Sequence, residues 1–351
     1  MTSFSPGPSK VYDQLPIYLK EAYDQGILSA NHRSSLFMHL YQETEELIKE
    51  KLDIPSSYKL LFTSSATENW EIIAQSVVER SSFHIYSGAF GKKWYGFAQH
   101  IQPATGALQL DKDEELDVEA LEIGDDHDLI GITQNETSNA TQVSNELIAA
   151  VGARFPEKMI AVDTTSSMAG IYLDFNNADI WYASVQKCFA LPAGLGILIL
   201  SPKAIEKVER KGEKGRYNSL SFMLENAKNY QTHYTPNVLG IYLLNRSLKD
   251  IPFISATDAR TKQRMQRLEE TILQTQSLHF LIQNPKTRSR TVLGIAGKEE
   301  FVSQIKKAAE AAGMQMGSGY GALKPTSFRI ANFPAVTDEE FEKLIAFLQQ
   351  Y

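Results

Sequence analysis

The sequence predicts an α/β protein with a large, mainly parallel β-sheet flanked by helices, followed by a smaller α+β domain. Over most of the chain, short apolar runs rich in branched and aromatic residues alternate with amphipathic helical patterns. Strands separated by helices are typical of parallel sheets. After about residue 250 the pattern changes to one long polar helix and a shorter mixture of strands and helices. A length of 351 residues allows one large and one smaller domain.

The elements follow in order from these patterns. The strands of the large sheet are predicted at Lys59–Thr63, Phe83–Ser87, Leu129–Thr133, Met159–Asp163, Ile180–Ser184 and Leu195–Leu200. The helices between them are predicted at Ser35–Leu52, Asn69–Glu79, Asn145–Phe155 and Pro202–Lys211. The small domain contains helices at Ala256–Ser277, Glu299–Ala312 and Asp338–Gln350 and the strand patterns "RTVLGIAG" and "TSFRIANF". We place residues 16–255 in the large domain and residues 256–351, with 1–15, in the small one.

Composition excludes several classes of protein. The net charge of −7 argues against a nucleic-acid surface, which needs a clustered basic face. The basic stretch Lys203–Arg216 is interleaved with glutamates and indicates a solvated helix face. Cys188 is the single cysteine, so neither a disulfide framework nor a Cys-rich metal site is expected. We find no signal peptide and no apolar run of about 18 residues, and we expect a cytoplasmic protein without a membrane partner or a metal.

Lys187 is the residue that most needs an explanation. It is the only amine in the apolar segment Trp181–Leu200, with Tyr182, Val185 and Phe189 nearby in sequence. Burying an amine costs free energy unless the amine is paired or its pKa is lowered. A desolvated lysine with a lowered pKa is a nucleophile for carbonyl groups. Lys187 is therefore a candidate catalytic residue.

Asp163 is the natural companion of Lys187. It ends one predicted strand, and Lys187 follows the next. Because ligands of such sheets bind at the carboxyl ends of the strands, one ligand can touch both residues. A carboxylate that faces a pyridinium nitrogen recurs in pyridoxal phosphate enzymes, together with a lysine that binds the cofactor. From these two residues alone, a buried Asp–Lys ion pair is an equally good interpretation.

Other predicted strand ends offer groups that suit the same cofactor. A phosphate needs backbone N–H groups at a helix start and small hydroxyl side chains. Ser65, Ala66 and Thr67 provide these, although an ordinary helix N-cap is the alternative. Phe90 follows another strand and can stack on a pyridine ring, or it is a plain core residue. Thr137 follows a fourth strand, within reach of the ring hydroxyl.

Several motifs, in order along nearly the whole chain, then resemble one family. "FSPGPSKVYDQL" is similar to FxPGPxxLP, "ANHRS" to SHR, "QNETS" to PNET, and "AVDTTSSM" to AD(M/T)SS. "SVQKCFALPAGLGILIL" resembles an AQKN-GPAG-hydrophobic run. These are motifs of the class-V, fold-type-I pyridoxal phosphate-dependent aminotransferases, and the phosphoserine-specific group is the most similar. The resemblance implies the aspartate-aminotransferase-like fold.

The resemblance also implies roles around the cofactor. Lys187 would hold pyridoxal phosphate covalently, and Asp163 would bind the ring nitrogen. Phe90 would replace the usual stacking tryptophan, and Thr137 would bond the ring oxygen. The residues assigned to the cofactor phosphate are Ser65, Ala66, Thr67 and Gln186.

A second copy of the chain is part of this expectation. "THYTPNVLGIYL" resembles NTPPTxxIY, a loop that reaches the cofactor phosphate of the partner in a homodimer. Thr235 matches that motif, whereas Tyr234 stands where the family has Asn. "TSFRIANF" resembles GGxRASxYN, so Arg329 would clamp the substrate α-carboxylate. His32 and Arg33 are further candidates for binding a substrate anion.

The implied substrates are a small amino acid and a 2-oxo acid. The reaction exchanges the amino group of phosphoserine with 2-oxoglutarate, as a step in serine biosynthesis. The sequence departs from this group at Ala322 and Leu323, where a His-Arg pair usually helps to hold the substrate phosphate; Lys324 stands beside them. Ser64 and Ser65 replace the Gly-Gly turn at the cofactor phosphate. A serine- or alanine-type transaminase using pyruvate or glyoxylate is therefore the alternative.

Other classes fit less well. A cysteine desulfurase needs its cysteine on a mobile loop, whereas Cys188 adjoins Lys187. The "GLG" at residues 194–196 precedes a strand and so lacks the strand-to-helix context of a dinucleotide-binding motif. A non-enzymatic member would be indicated by loss of Lys187, which is present.

Overall fold

Residues 1–351 are all described in the structure, a computed structural model. The helices are α1 (Leu15–Asp24), α2 (Ser35–Leu52), α3 (Ala66–Ser76), α4 (Ala89–Ile101), α5 (Asn145–Arg154), α6 (Pro202–Lys211), α7 (Leu220–Ala227), α8 (Val238–Asp250), α9 (Ile254–Gln274), α10 (Glu299–Ala311) and α11 (Asp338–Leu348). The strands are β1 (Thr2–Phe4), β2 (Lys59–Thr63), β3 (Ser81–Tyr86), β4 (Gly106–Gln109), β5 (His127–Thr133), β6 (Asn135–Glu136), β7 (Thr141–Gln142), β8 (Met159–Asp163), β9 (Ile180–Ser184), β10 (Gly196–Leu200), β11 (His279–Phe280), β12 (Val292–Ala296), β13 (Met314–Ser318) and β14 (Ser327–Ala331).

Seven strands form the large sheet, in the order β2-β10-β9-β8-β5-β3-β4. The pairs from β9 to β4 are parallel, and β10 runs antiparallel to both of its neighbours. The prediction of a mainly parallel sheet is confirmed. Because β2 and β9 are both antiparallel to β10, the strands β2, β5, β8 and β9 all end at the same edge. The candidate residues that follow these strands therefore meet at that edge.

Most predicted elements are present, and the differences have local causes. The bounds of β2, β8, β9, α2 and α6 agree with the prediction. Helix α3 begins at Ala66 instead of Asn69 because the Ser65 hydroxyl caps it, accepting a hydrogen bond from the Glu68 N–H. Helix α4 was not predicted, since Gly91 and Gly96 interrupt its pattern.

The smaller sheet has five strands in the order β1-β13-β14-β12-β11. Its first strand comes from the beginning of the chain: β1 pairs parallel with β13, Thr2 opposite Met314. The remaining pairs are antiparallel. Helices α9, α10 and α11 contribute to the buried side of this sheet, so the α+β character predicted for this part of the chain is present.

Two apolar cores accompany the two sheets. The larger core contains 72 buried residues and the smaller one 21. Phe4 belongs to the smaller core, in keeping with the pairing of β1, whereas Val292, Ala331 and Phe333 belong to the larger one. The boundary at residue 255 falls in the first turn of α9 and stays a prediction. None of the helices is both long and apolar enough to cross a lipid bilayer.

Candidate active site

Lys187 lies just beyond β9, in the wall of a cavity of about 700 Å³ at the shared edge of the large sheet. Its Nζ donates a hydrogen bond to Thr137 Oγ1 at 2.8 Å. Burial lowers the pKa of the Lys187 amine, although the nearby carboxylates of Asp163 and Glu136 act in the opposite direction. The amine is thus closer to its neutral, nucleophilic form than an exposed lysine.

Asp163 ends β8 in the same cavity. Its Oδ1 accepts hydrogen bonds from the Thr165 N–H at 2.9 Å and from Thr165 Oγ1 at 2.5 Å. Lys187 is bonded to Thr137 instead, so Asp163 and Lys187 do not form the direct ion pair that was the alternative interpretation. Burial raises the pKa of Asp163, with Thr165 and the Lys187 charge opposing it. A buried carboxyl group of this kind favours a cationic or proton-donating ligand.

The start of α3 forms another side of the cavity. Ser65, Ala66 and Thr67 line it together with Gln186. The Ala66 N–H donates to Ser184 Oγ at 2.6 Å, and Ser65 caps the helix. An α-helix leaves its first N–H groups without partners inside the helix and carries a partial positive charge at this end, so the site suits a phosphate.

Phe90 stands in the first turn of α4, with its ring centroid 5.2 Å from Lys187 Nζ. The buried Glu136 fixes this turn: its carboxylate accepts hydrogen bonds from the N–H groups of Phe90 and Gly91, both at 3.0 Å, and of Ser138 at 2.9 Å. Glu136 was not singled out from the sequence, although it belongs to the quoted "QNETS". No pattern in the sequence indicates this role, because Glu136 is 46 residues from Phe90 and reaches the start of α4 only in the folded chain.

Arg329 reaches the cavity from β14 of the smaller sheet. Its guanidinium donates to two backbone carbonyl oxygens, of Thr137 at 2.6 Å and of Ser318 at 2.9 Å. Neither partner is a carboxylate, so the positive charge is not neutralised by an ion pair. Burial lowers the pKa of Arg329, and the nearby Glu136 carboxylate acts in the opposite direction without forming a hydrogen bond to the guanidinium. An anionic ligand would supply the missing counter-charge.

Four predicted site residues do not line this cavity in the single chain. His32 and the exposed Arg33 lie in the turn before α2. Tyr234 packs its ring against His233 and Tyr217, with centroid distances of 4.8 and 6.1 Å, and Thr235 is exposed. Their assignment stays a prediction.

The cavity also contains residues that sequence reasoning did not assign. The N-terminal segment Pro6–Pro8 covers it on one side, with Ser9 Oγ donating to the carbonyl oxygens of Gln186 at 3.1 Å and Lys187 at 3.0 Å. Lys93 and Tyr320 line the side near Phe90, and Lys93 Nζ donates to the Tyr320 hydroxyl at 3.1 Å. For the N-terminal segment, the similarity of "FSPGPSKVYDQL" to the family was the signal available in the sequence. No sequence pattern pointed to Lys93 or Tyr320.

Cys188 is unsuited to the desulfurase chemistry considered as an alternative. The side chain is buried, and its Sγ donates to the Ser166 carbonyl oxygen at 3.3 Å. Burial raises the pKa of the thiol, so the reactive thiolate is disfavoured.

Comparison with known proteins identifies the class of this site. The family model of the aminotransferases of class V matches residues 2–332. The chain therefore belongs to the class-V aminotransferases, and the predictions of the family, of the fold and of an amino-transferring enzyme are confirmed.

Individual members of the family are similar to this chain over almost its whole length. The crystal structure of a phosphoserine aminotransferase from Cytophaga hutchinsonii has a TM-score of 0.95 and 33% identity, with 99% of this chain and 98% of that chain covered. A phosphoserine aminotransferase of Rhodococcus opacus is 26% identical over 97% of this chain and 92% of its own. An aspartate aminotransferase from Thermus thermophilus is 19% identical, with a TM-score of 0.85 and coverage of 100% and 98%, and shares the fold.

Pyridoxal phosphate is the cofactor of this family, as predicted, and the residues of the cavity fit it. A helix start suits the phosphate, an aromatic ring suits the pyridine face, and a buried carboxyl group suits the ring nitrogen. Lys187 supplies the amine that such a cofactor requires. A cavity of about 700 Å³ leaves room for a small substrate beside it.

Proposed function

We propose that this aminotransferase exchanges the amino group of phosphoserine with 2-oxoglutarate, as a step in serine biosynthesis in the cytoplasm. The observation that carries the proposal is that one cavity contains Lys187, next to a buried carboxyl group, and Arg329, which has no carboxylate hydrogen-bond partner. The names of relatives that align over almost the whole chain support phosphoserine as the donor. Its two anionic groups match a cavity rich in positive charge.

The chemistry divides between the cofactor and the chain. Pyridoxal phosphate supplies an electron sink for the electron pair left when an amino acid loses its α-proton. In the proposed mechanism, Lys187 Nζ binds the cofactor and then removes and returns protons as a general acid–base, for which a lowered pKa is suited. Asp163 holds the ring nitrogen and stabilises its proton. Thr165 orients Asp163 through the two hydrogen bonds to Oδ1.

The remaining groups bind and orient. Phe90 and Thr137, which both lie beside Lys187, would hold the cofactor ring through its face and its ring oxygen. The start of α3 and Gln186 hold the cofactor phosphate. Arg329 binds the α-carboxylate of the substrate; the carbonyl oxygens of Thr137 and Ser318 fix the guanidinium direction.

The full site requires a homodimer in this proposal. Large apolar side chains are exposed around the turn that carries His32 and Arg33: Tyr23 is 73% exposed, Leu28 52% and Leu36 46%. Exposed apolar groups of this size, close together in sequence, favour an interface. Across it, the turn of one copy would bring Arg33 and His32 to the substrate of the other, and Tyr234 and Thr235 to its cofactor phosphate.

Mixed dimers test the sharing of sites. A chain carrying Lys187→Ala and a chain carrying Arg33→Ala, each nearly inactive with phosphoserine, should regain activity when they are co-expressed. One of the two sites then combines an intact lysine with an arginine from the other chain. Lys187→Ala with Arg329→Ala is the control and should not regain activity, because Lys187 and Arg329 line the same cavity of one chain. Lack of recovery in the first pair would contradict a site shared through Arg33.

A serine- or alanine-type transaminase using pyruvate or glyoxylate is the second candidate. The neutral Ala322 and Leu323, where a His-Arg pair is usual in the phosphoserine-specific group, favour it. Half-reaction rates with phosphoserine, glutamate, serine and alanine on one preparation distinguish the two. The proposal requires the kcat/KM for phosphoserine to be higher than the kcat/KM for serine and for alanine. A preference for alanine or serine would favour the second candidate instead.

A further inference from the structure

Lys93 is a cation in the cavity that the proposed mechanism does not use. It lies one helical turn after Phe90 on α4, and residues three apart share a helix face. Its Nζ is 5.5 Å from the Phe90 ring centroid and donates to the Tyr320 hydroxyl at 3.1 Å. Since Tyr320 is a neutral partner, the ammonium group has no carboxylate to balance its charge.

The charges that line the cavity do not cancel. Three cations, Lys93, Lys187 and Arg329, line it with one carboxyl group, Asp163. The buried Glu136 does not line the cavity but acts electrostatically on Lys187 and Arg329, so the cations still outnumber the acids. In the proposed function Lys187 and Asp163 serve the cofactor and Arg329 serves the α-carboxylate. Lys93 is then left for a second anion.

The Tyr320 ring lies beside both outer cations. Arg329 Cζ and Lys93 Nζ each lie 5.8 Å from the centroid of its ring. A donor that carries an anion at each end needs two positive positions held apart in this way. A lysine suits a phosphate at the distal position because its ammonium is a compact charge with three donors.

The other lysine near this part of the chain faces elsewhere. Lys324 lines a different cavity, together with Lys306, whose Nζ donates to Ser318 Oγ at 2.7 Å. Ala322 and Leu323 carry no charge. Within one chain, Lys93 is therefore the cation positioned for a distal group.

We propose that Lys93, oriented by the Tyr320 hydroxyl, binds the distal anion of the amino donor. This inference rests on the proposed function for the identity of that anion, the phosphate of phosphoserine. A phosphate carries about two negative charges at pH 7. Lys93 and an arginine from the second copy, Arg33, would each compensate one of them.

Turnover by three holoenzyme variants tests the role of Lys93. Lys93→Met removes the charge and keeps most of the side-chain length, whereas Lys93→Arg keeps the charge. Lys92→Met is the matched control, since Lys92 is exposed on the same helix and does not line the cavity. We expect Lys93→Met to lower kcat/KM for phosphoserine by about 10- to 100-fold. Alanine should be almost unaffected, Lys93→Arg should restore most of the loss, and Lys92→Met should behave as the wild type.

Equilibrium binding separates this inference from the proposed function. Two ligands without an amine are each titrated into the holoenzyme. 3-Phosphonopropionate has an anionic group at both ends, and propionate has a single anionic group. The wild type should bind 3-phosphonopropionate more tightly than propionate, and Lys93→Met should remove most of that difference. Propionate binding should stay nearly constant.

Each outcome decides one of the two proposals. The assignment of Lys93 would be overturned if Lys93→Met lowered kcat/KM equally for all donors and affinity equally for both ligands. It would also be overturned if Lys93→Met lowered neither quantity. A wild type that prefers alanine to phosphoserine would overturn the proposed substrate. In that case the Lys93 assignment stands only if the preference for 3-phosphonopropionate is present and depends on Lys93.

Discussion

The two sides of the active-site cavity are built differently. Asp163 and Lys187 come from the ends of two neighbouring strands in the centre of the large sheet, whose residues are buried throughout. Lys93 comes from helix α4, whereas Tyr320 and Arg329 come from the smaller sheet, from the β13–β14 connection and from β14, and the side chain of Lys93 is exposed. The first side keeps reacting groups in fixed positions. The second consists of long side chains whose replacement leaves the sheet intact.

This difference suggests a division of labour. Strand ends held by a hydrogen-bonded sheet position a base and a carboxylate with the accuracy that proton transfer demands. An exposed lysine at the opening, Lys93, can adapt to the anion of a particular donor. Substitutions on the sheet side should therefore affect every substrate equally. On the open side, substitution of Lys93 should affect one substrate more than another, whereas substitution of Arg329, which is assigned to the α-carboxylate common to all donors, should affect them all.

The largest effect is expected from Lys187→Ala. Turnover should be abolished with all donors, because the amine that binds the cofactor and moves the proton is lost. The visible absorbance of the lysine-bound cofactor should also disappear, although some cofactor can remain bound through its phosphate. Absorption spectra and transaminase assays check this, with Lys92→Ala as the control. Substantial remaining activity would show that Lys187 is not the catalytic amine.

Asp163→Asn should come next. We expect kcat/KM to fall by roughly three orders of magnitude or more, about 4 kcal/mol, for every donor, because the ring nitrogen loses its anionic partner. Circular dichroism should show an unchanged fold. Thr165→Ala, which removes only the hydroxyl that bonds to Oδ1, should have a smaller effect of the same kind. A near-normal rate in Asp163→Asn would mean that the carboxyl group is merely structural.

A smaller effect is expected from Gly7→Ala in the segment that covers Lys187. A Cβ at this position would lie 3.0 Å from Lys187 Cε, and the backbone φ of +151° is rare for other residues. Displacing the lysine stem should lower kcat roughly tenfold and slow cofactor uptake by the apo-protein. Gly26→Ala is the control, since its φ of +71° is also positive but nothing lies within 4 Å. If both variants keep normal kcat and uptake, the segment does not position Lys187.

The smallest effect concerns pH. In the proposed mechanism only the neutral amine of Lys187 attacks the cofactor, so uptake by the apo-protein should increase as pH rises and the amine loses its proton. Because burial lowers its pKa, the increase should be half complete below the ordinary lysine value of about 10.4. Stopped-flow absorbance across a pH series measures the midpoint. A midpoint at the ordinary value would show that the amine is not desolvated.

The sequence is informative where function depends on strand ends. The apolar pattern and the residue composition define the bounds of β8 and β9 to the residue. Because ligands of such sheets bind at the carboxyl ends of the strands, Asp163 and Lys187 are then expected to lie close together. The start of α3 was displaced by three residues because the apolar pattern begins later than the cap at Ser65. A capping hydroxyl three residues before its N–H partner was the signal available for correcting it.

Other parts of the site have no local signature. Which turn of α4 faces the cavity, and therefore whether Lys93 or Lys92 enters it, depends on packing between distant units. Tyr320 reaches the same place from the far end of the chain, and the pairing of the three-residue strand β1 is decided by its partner β13. Residues that a second copy would contribute leave even less trace in the sequence, and only the family motifs suggested Thr235.

The position of β1 has a consequence for the order in which the molecule is made. Thr2 Oγ1 donates to a Glu340 carboxylate oxygen at 3.0 Å, although 338 positions separate the two residues. On the ribosome, the large sheet has all its strands once residue 200 is synthesised, whereas β1 must wait for nearly all of the remaining chain. The segment that covers Lys187 is tethered at one end by this late strand. Assembly of the catalytic pocket is therefore completed at the close of translation, well after the reactive residues themselves are in place.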